Sequence, residues 1–199
     1  MLIFQDEALR IEKLVLGPYE TNAYILVCLN TQESLVVDAP ANVSAIIGSL
    51  KNTEPKYLLL THDHYDHTGV IVSLRERLKV PLATHKFNSF QLKKPPEILL
   101  NDGDNITLGA LKLKALYTPG HTPGHCLFYC VQANVLFSGD LIFQGGVGRT
   151  DLPGGDWEAL LRSIREQVFT LPDETRILPG HGEETRVGEE KCENPFVRA

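Results

Sequence analysis

In the first half of the chain, short apolar runs rich in β-branched residues alternate with turn signals. Residues 11–16 and 22–28 are two such runs, parted by Gly17-Pro18-Tyr19-Glu20, and they predict a β-hairpin. A third strand is predicted at 34–38, ending on Asp38. The period then lengthens: Val43, Ile46, Ile47 and Leu50 recur at the spacing that gives a helix over 41–50 one apolar face. Tyr57-Leu58-Leu59-Leu60 reads as a buried strand, 61–67 as a polar loop, and Thr68-Gly69-Val70 as the start of a helix to about Leu78, with a short strand at 80–85 after it. That order predicts a mixed sheet with helices on one face.

From 87 to 96 the pattern weakens, and Lys93-Lys94-Pro95-Pro96 marks an exposed connection. Asn101-Asp102-Gly103-Asp104 reads as a turn; its two aspartates lack the twelve-residue loop closed by a glutamate that a calcium site needs. Strands are predicted at 106–108, 111–117, 125–131 and 135–138. A helix follows over 156–169, with Asp156 as N-cap and Trp157, Leu160, Leu161, Ile164 and Val168 on its buried face. A last strand at 175–178 and a last helix at 183–191 complete a second half that repeats the first in kind, although no repeat is visible residue by residue. Two such halves bury their apolar faces best as sheet on sheet with the helices outside.

Composition narrows the function. With 199 residues, 43% hydrophobic and 22% charged, the chain suits one folded domain rather than a disordered tail. A formal charge of -6 disfavours a broad phosphate-binding face, so no nucleic-acid partner is expected. Cys28, Cys126, Cys130 and Cys192 contain no C-x-x-C pair and are read as buried small hydrophobes of a reducing cytosol. Cys126 and Cys130 share a strand face about 13 Å apart and cannot bridge each other. No basic leader with a long apolar core opens the chain, and no apolar segment reaches membrane length, so a cytoplasmic protein with no membrane partner is expected. A homo-oligomer stays open.

The candidate chemistry sits in Thr61-His62-Asp63-His64-Tyr65-Asp66-His67-Thr68. Three imidazoles and two carboxylates within six residues of one loop supply the donors a divalent transition metal takes. Three other polar residues, His121, Asp140 and His181, stand in glycine-bearing loops at predicted strand ends, in Thr118-Pro119-Gly120-His121-Thr122-Pro123-Gly124-His125, Ser138-Gly139-Asp140 and Pro179-Gly180-His181-Gly182. One donor per loop, converging on one edge, is a pattern that chance explains poorly. Asp38, also at a strand end, reads either as a turn residue or as a partner that orients the loop around His62.

The H-x-H-x-D-H motif at 62–67 with His121, Asp140 and His181 resembles the metallo-β-lactamase superfamily, and the likeness runs across essentially the whole chain. Gly17-Pro18, Thr21-Asn22-Ala23-Tyr24, the T-P-G-H-T-P-G-H loop and Gly148-Arg149-Thr150-Asp151 resemble the glyoxalase II branch. The G-R-T-D-L element and Glu193-Asn194-Pro195-Phe196 are similar to short relatives of hydroxyacylglutathione hydrolase and of the persulfide dioxygenases. The fold implied is the four-layer αββα sandwich, an α/β (in some schemes α+β) architecture, as a single domain over 1–199. The helical C-terminal domain that completes the glutathione pocket of full-length glyoxalase II is expected to be absent.

The resemblance implies a metal-dependent hydrolase of a thioester, hydroxyacylglutathione hydrolase-like, using a metal-bound hydroxide. His62, His64 and His121 would hold one divalent ion, Asp66, His67 and His181 a second, and Asp140 would bridge them, with Asp66 and Asp140 as the catalytic carboxylates. Zinc is the first expectation for the metal, with iron or manganese as alternatives. His125 is expected as a structural group or a hydrogen-bonding neighbour of His121, and His85 as structural. Arg149 would either clamp a substrate carboxylate, from a small-molecule thioester or a glutathione-derived thiol, or pair internally with a partly buried Asp151. The alternative chemistry is a mononuclear iron persulfide dioxygenase using His62, His121 and Asp140, which keeps the same seven ligand residues.

Overall fold

The computed structural model describes residues 1–90, 92 and 94–198, so Gln91 and Lys93 of the weakly patterned connection lie outside the described residues. In the first half the strands are β1 (Leu2–Gln5), β2 (Leu9–Leu16), β3 (Thr21–Cys28), β4 (Glu33–Val37), β5 (Glu54–Leu59), β6 (Leu82–His85) and β7 (Ile98–Leu100), with helices α1 (Val43–Ser49), α2 (Tyr65–Thr68) and α3 (Ile71–Leu78). In the second half β8 (Asn105–Leu108), β9 (Leu111–Tyr117), β10 (Cys126–Cys130) and β11 (Val135–Gly139) lead through a small hairpin, β12 (Ile142–Phe143) and β13 (Gly146–Val147). Helix α4 (Trp157–Ser163), β14 (Arg176–Pro179), β15 (Thr185–Arg186) and α5 (Val187–Glu193) follow.

Among the described residues one sheet runs β1 to β7 in order and the other runs β15-β14-β11-β10-β9-β8. β4, β5 and β6 pair parallel through helical crossovers and β7 pairs parallel with β6, while β1 to β4 are antiparallel, which is the mixed sheet expected. Alternation along each strand sorts the side chains into layers. On β3, Tyr24, Leu26 and Cys28 face the other sheet, and Ile25 and Val27 face α1 and α3. On β10 and β11, Phe128 and Phe137 meet in register inside the sandwich, and Leu127 and Leu136 face α4 and α5. Both phenyl rings are fully buried, so truncating either to alanine costs about 3–5 kcal/mol. The result is helices, sheet, sheet, helices: an α/β sandwich of four layers.

Several boundaries differ from the sequence reading, for identifiable reasons. The stretch 61–67 is not all loop, because the amides of His67 and Thr68 both donate to the His64 carbonyl (3.0 and 3.2 Å) and close the helical turn α2. The helix from Asp156 is capped as expected, Asp156 accepting from the Ala159 amide at 2.9 Å, but it passes into a wider π-type turn over Ile164–Val168. Trp157 is 40% exposed rather than buried, since it sits in the first turn, at the end of the apolar stripe. The last helix starts at Val187, not 183, because Thr185 and Arg186 pair with β14 first. Cys192 is exposed, against the expectation of four buried thiols, while Cys28, Cys126 and Cys130 are buried. The strands the sequence did not signal, β1, β7, β12, β13 and β15, are two to four residues long, too short for a period to show. None of the described helices is long and apolar enough to cross a membrane.

Candidate metal centre

All seven residues of the predicted ligand set meet at one edge of the sandwich, at the carboxyl ends of β5, β9, β11 and β14. His62 and His64 leave β5 in extended backbone, and the α2 turn then swings Asp66 and His67 round to the same side. His121 sits in the loop after β9. Gly120 there has φ 143°, and a Cβ would collide with the backbone of Leu160 on α4. Asp140 follows β11 and His181 follows β14; a Cβ on Gly180 would fall on Asp140 Oδ1 and His67 Cε1, so only glycine lets that loop close on the site.

Three overlapping groups of donor atoms each lie within 4.8 Å: His62, His67 and Asp140 join two outer triads, His62 with His64 and His121, and Asp66 with His67 and His181. Asp140 lies between them. Its Oδ2 is 4.0 Å from His62 Nε2, 3.6 Å from His121 Nε2 and 3.5 Å from His181 Nε2, and its Oδ1 is 3.3 Å from His67 Nε2. His181 Nε2 is also 3.1 Å from Asp66 Oδ2.

The surroundings decide which ring nitrogen faces inward. His67 Nδ1 donates to Asp38 Oδ2 at 2.7 Å, and His121 Nδ1 donates to the Arg149 carbonyl at 2.7 Å. Each ring thereby turns its Nε2 toward the centre. Asp38 also accepts from the Thr61 amide (2.9 Å) and hydroxyl (2.8 Å) from a left-handed backbone at φ 61°, so it ties the start of the motif to its end. His125 does not orient His121: its Nε2 accepts from the Asp140 amide at 3.1 Å, and its Nδ1 pairs with Thr118 Oγ1 at 3.0 Å. His85 lies outside the site, stacked on Tyr117 with ring centroids 4.0 Å apart.

Burial pushes His62 and His125 well below the usual imidazole range, and it lowers His64 and His121 in the same direction. Burial opposes charge on Asp140 too, but His67 and His181 overcome it and hold that carboxyl well below the usual range. His67 is raised despite burial by Asp140 and Asp38, and His181 is raised despite burial to about 9 by its hydrogen bonds to Asp140 and Asp66. Asp38, Asp66 and Asp140 therefore demand positive charge in their midst. Among the described residues, buried His67 Nε2, His121 Nε2 and Asp140 Oδ1 have no hydrogen-bond partner, and the 3.3 Å approach of His67 to Asp140 lacks hydrogen-bond geometry. Partnerless donor atoms turned toward one another in a buried acidic pocket fit divalent cations.

A cleft of about 480 Å³ opens over Asp140, walled by Tyr19, Tyr65 and Leu152, with Arg149 on its rim. A larger cavity of about 550 Å³, against α2 and α3, shares His64 and Tyr65 with it but lacks Asp140. Arg149 pairs with Asp151 through two contacts of 2.7 Å, as one reading of the sequence expected. The burial assumed with that pairing is absent: the side chains are 62% and 67% exposed. Sequence reading missed Thr61, Tyr19, Asn22 and Tyr24 as orienting groups. The T-N-A-Y run was visible, but the partners of Asn22 and Tyr24 lie more than 150 residues away.

The Metallo-beta-lactamase superfamily model matches residues 16–181. Two curated relatives are a probable metallo-hydrolase, YqgX, of Bacillus subtilis (36% identical, 93% of this chain and 96% of the relative) and the hydroxyacylglutathione hydrolase GloC of Haemophilus influenzae (38%, covering 72% and 76%). Solved structures that superpose include the BLEG-1 B3 metallo-beta-lactamase (TM-score 0.89, 35% identical, 94% and 98% covered) and ETHE1 from Myxococcus xanthus (0.85, 27%, 93% and 83%). TTHA1623 in a di-iron-bound form also superposes (0.82, 34%, 93% and 99%).

Proposed function

This chain belongs to the metallo-β-lactamase superfamily, and from that premise we propose that it hydrolyses a thioester of the hydroxyacylglutathione type with two divalent metal ions as cofactors. The observation that carries the reading is the position of Asp140, one buried carboxylate between two complete three-residue clusters. His62, His64 and His121 would hold one ion, Asp66, His67 and His181 the other, and Asp140 would serve both. Two ions so placed supply Lewis acidity toward the scissile carbonyl and a hydroxide nucleophile at neutral pH. Asp38 keeps the proton of His67 on Nδ1, and His125 fixes the backbone of Asp140, so the donors are aimed before any ion arrives. No serine or cysteine nucleophile is needed at the centre. Arg149, exposed on the rim, can exchange Asp151 for a substrate carboxylate, and Tyr19, Tyr65 and Leu152 offer apolar walls to the rest of the molecule.

The relative named hydroxyacylglutathione hydrolase supports the substrate class, and the di-iron-bound neighbour supports a pair of ions. Zinc is the first choice of metal for an imidazole-rich set with few carboxylates, with iron and manganese as alternatives. The test pairs metal analysis of protein purified without chelator with turnover of a hydroxyacylglutathione thioester, glutathione persulfide and a β-lactam. The expected result is thioester hydrolysis with two equivalents of transition metal per chain. Full activity without any transition metal overturns the reading. Oxygen consumption on the persulfide with one iron and no thioester hydrolysis moves the assignment to a dioxygenase built on His62, His121 and Asp140. Preferential β-lactam turnover moves it toward the activity that the BLEG-1 neighbour is named for.

A further inference from the structure

The two ligand clusters are held by different parts of the chain, and the β2–β3 hairpin reaches only one of them. Lys13, Asn22 and Tyr24 project from it as buried polar side chains with relative exposures of 7%, 1% and 2%. All three converge on the loop that carries His181. The Tyr24 hydroxyl donates to the Pro179 carbonyl at 2.7 Å, and the Asn22 amide donates to both Pro179 (2.9 Å) and Gly182 (3.0 Å) carbonyls. Lys13 Nζ donates to the Gly182 carbonyl at 3.2 Å and to Glu183 at 3.1 Å. Two backbone carbonyls on either side of Gly180-His181 are thus pinned from across the sandwich. The Asn22 amide N–H also donates to the Gly180 carbonyl at 2.7 Å, and Thr21 forms a bridge with His181. The same hairpin supplies the Tyr19 carbonyl that accepts from His181 Nδ1 (3.0 Å) and the Thr21 hydroxyl that donates to Asp66 Oδ2 (3.2 Å).

Among the described residues, no hydrogen bond runs from this hairpin to His62, His64 or His121. Their orienting contacts come from Thr61, from each other and from the Arg149 carbonyl. We infer that the hairpin is a positioning device for the second cluster alone: Lys13, Asn22 and Tyr24 set the His181 loop, so the affinity of the second metal position depends on them and that of the first does not. The inference rests on the two-cluster reading above. Its physical basis is tolerance. Metal–ligand distances hold within about 0.2 Å, the His181 loop is linked to the rest of the site chiefly through carbonyls, and a freed carbonyl lets the loop drift by more than that.

The test is a titration of the metal-free full-length protein with Co²⁺, followed by visible absorption and by metal analysis after gel filtration. Tyr24→Phe removes one hydroxyl and keeps the ring, so it leaves the fold intact; Lys13→Met and Asn22→Ala extend the series, and Lys13→Arg restores a donor. The parent is expected to bind two equivalents. The variants are expected to keep the first equivalent at parental affinity and to bind the second about 10- to 100-fold more weakly, the usual effect of losing an outer hydrogen-bond partner, with Lys13→Arg closer to the parent than Lys13→Met. Equal weakening of both equivalents, or no weakening in Tyr24→Phe and Asn22→Ala, overturns the positioning role. A parent that takes up one equivalent at every concentration overturns the two-metal reading itself, and with it this inference.

Discussion

The two ligand clusters share Asp140 and stand side by side, yet they differ in charge and in how they are aimed. In the His62, His64 and His121 cluster, burial lowers every imidazole, so the donors are neutral lone pairs at neutral pH. In the Asp66, His67 and His181 cluster, carboxylates raise both imidazoles, so protons occupy the positions where a cation would bring its charge. The first is ready for a metal; the second must give up protons to receive one. The aiming differs from ligand to ligand. His67 leans on a side chain, Asp38, whereas His121 and His181 lean on backbone carbonyls, of Arg149 and Tyr19. Substitution can remove a side-chain partner but leaves a carbonyl in place.

The largest effect is expected where the clusters meet. Asp140→Asn removes the one carboxylate common to both, so both equivalents of metal should be lost together, with turnover down by more than the ~100-fold typical of outer partners. Retention of one tight equivalent, measured by metal analysis, would show that the clusters are independent of Asp140. Next comes Asp38→Asn, which keeps a residue that tolerates the left-handed backbone but offers a single acceptor to three donors. The second equivalent should bind about 10- to 100-fold more weakly, with a smaller change in the first.

The third prediction concerns pH. His181 keeps its proton up to about 9 in the metal-free protein, and metal must displace it. Apparent affinity for the second ion should therefore climb with pH by roughly tenfold per unit for each displaced proton, with the His181 contribution levelling off above about 9. Because His62, His64 and His121 are already neutral near pH 7, the first ion should show a flatter profile there. Isothermal titrations in buffers of different ionisation enthalpy count the protons released; equal release for both ions would remove the contrast.

The smallest structural effect is expected for Arg149→Ala. The Arg149–Asp151 pair is exposed, and His121 uses the Arg149 carbonyl, which alanine retains. Unfolding temperature and metal content should match the parent. KM for a carboxylate-bearing thioester should rise with kcat little changed, because only uniform binding is lost. A lowered unfolding temperature would restore the structural role that the sequence suggested for this pair.

By itself the sequence determined the layered α/β architecture and singled out the seven residues that meet at one edge of it, for physical reasons. Periods of two and of about 3.6 residues are written locally, and so is a six-residue run of imidazoles and carboxylates after an apolar strand. His121, Asp140 and His181 were legible because each follows a strand and sits beside a glycine. The tertiary structure alone decided what aims them. That Asp38 joins Thr61 to His67, that His125 holds Asp140 rather than His121, and that Lys13, Asn22 and Tyr24 fix the His181 loop are contacts between residues 15 to 169 apart in the chain. It also decided the exposure of Arg149 and Asp151 and of Trp157, which no local pattern encodes. Which side chains reach which carbonyls depends on how one sheet lies over the other, and that is set by the packing of the whole core, including Phe128, Phe137 and Tyr24 between the sheets.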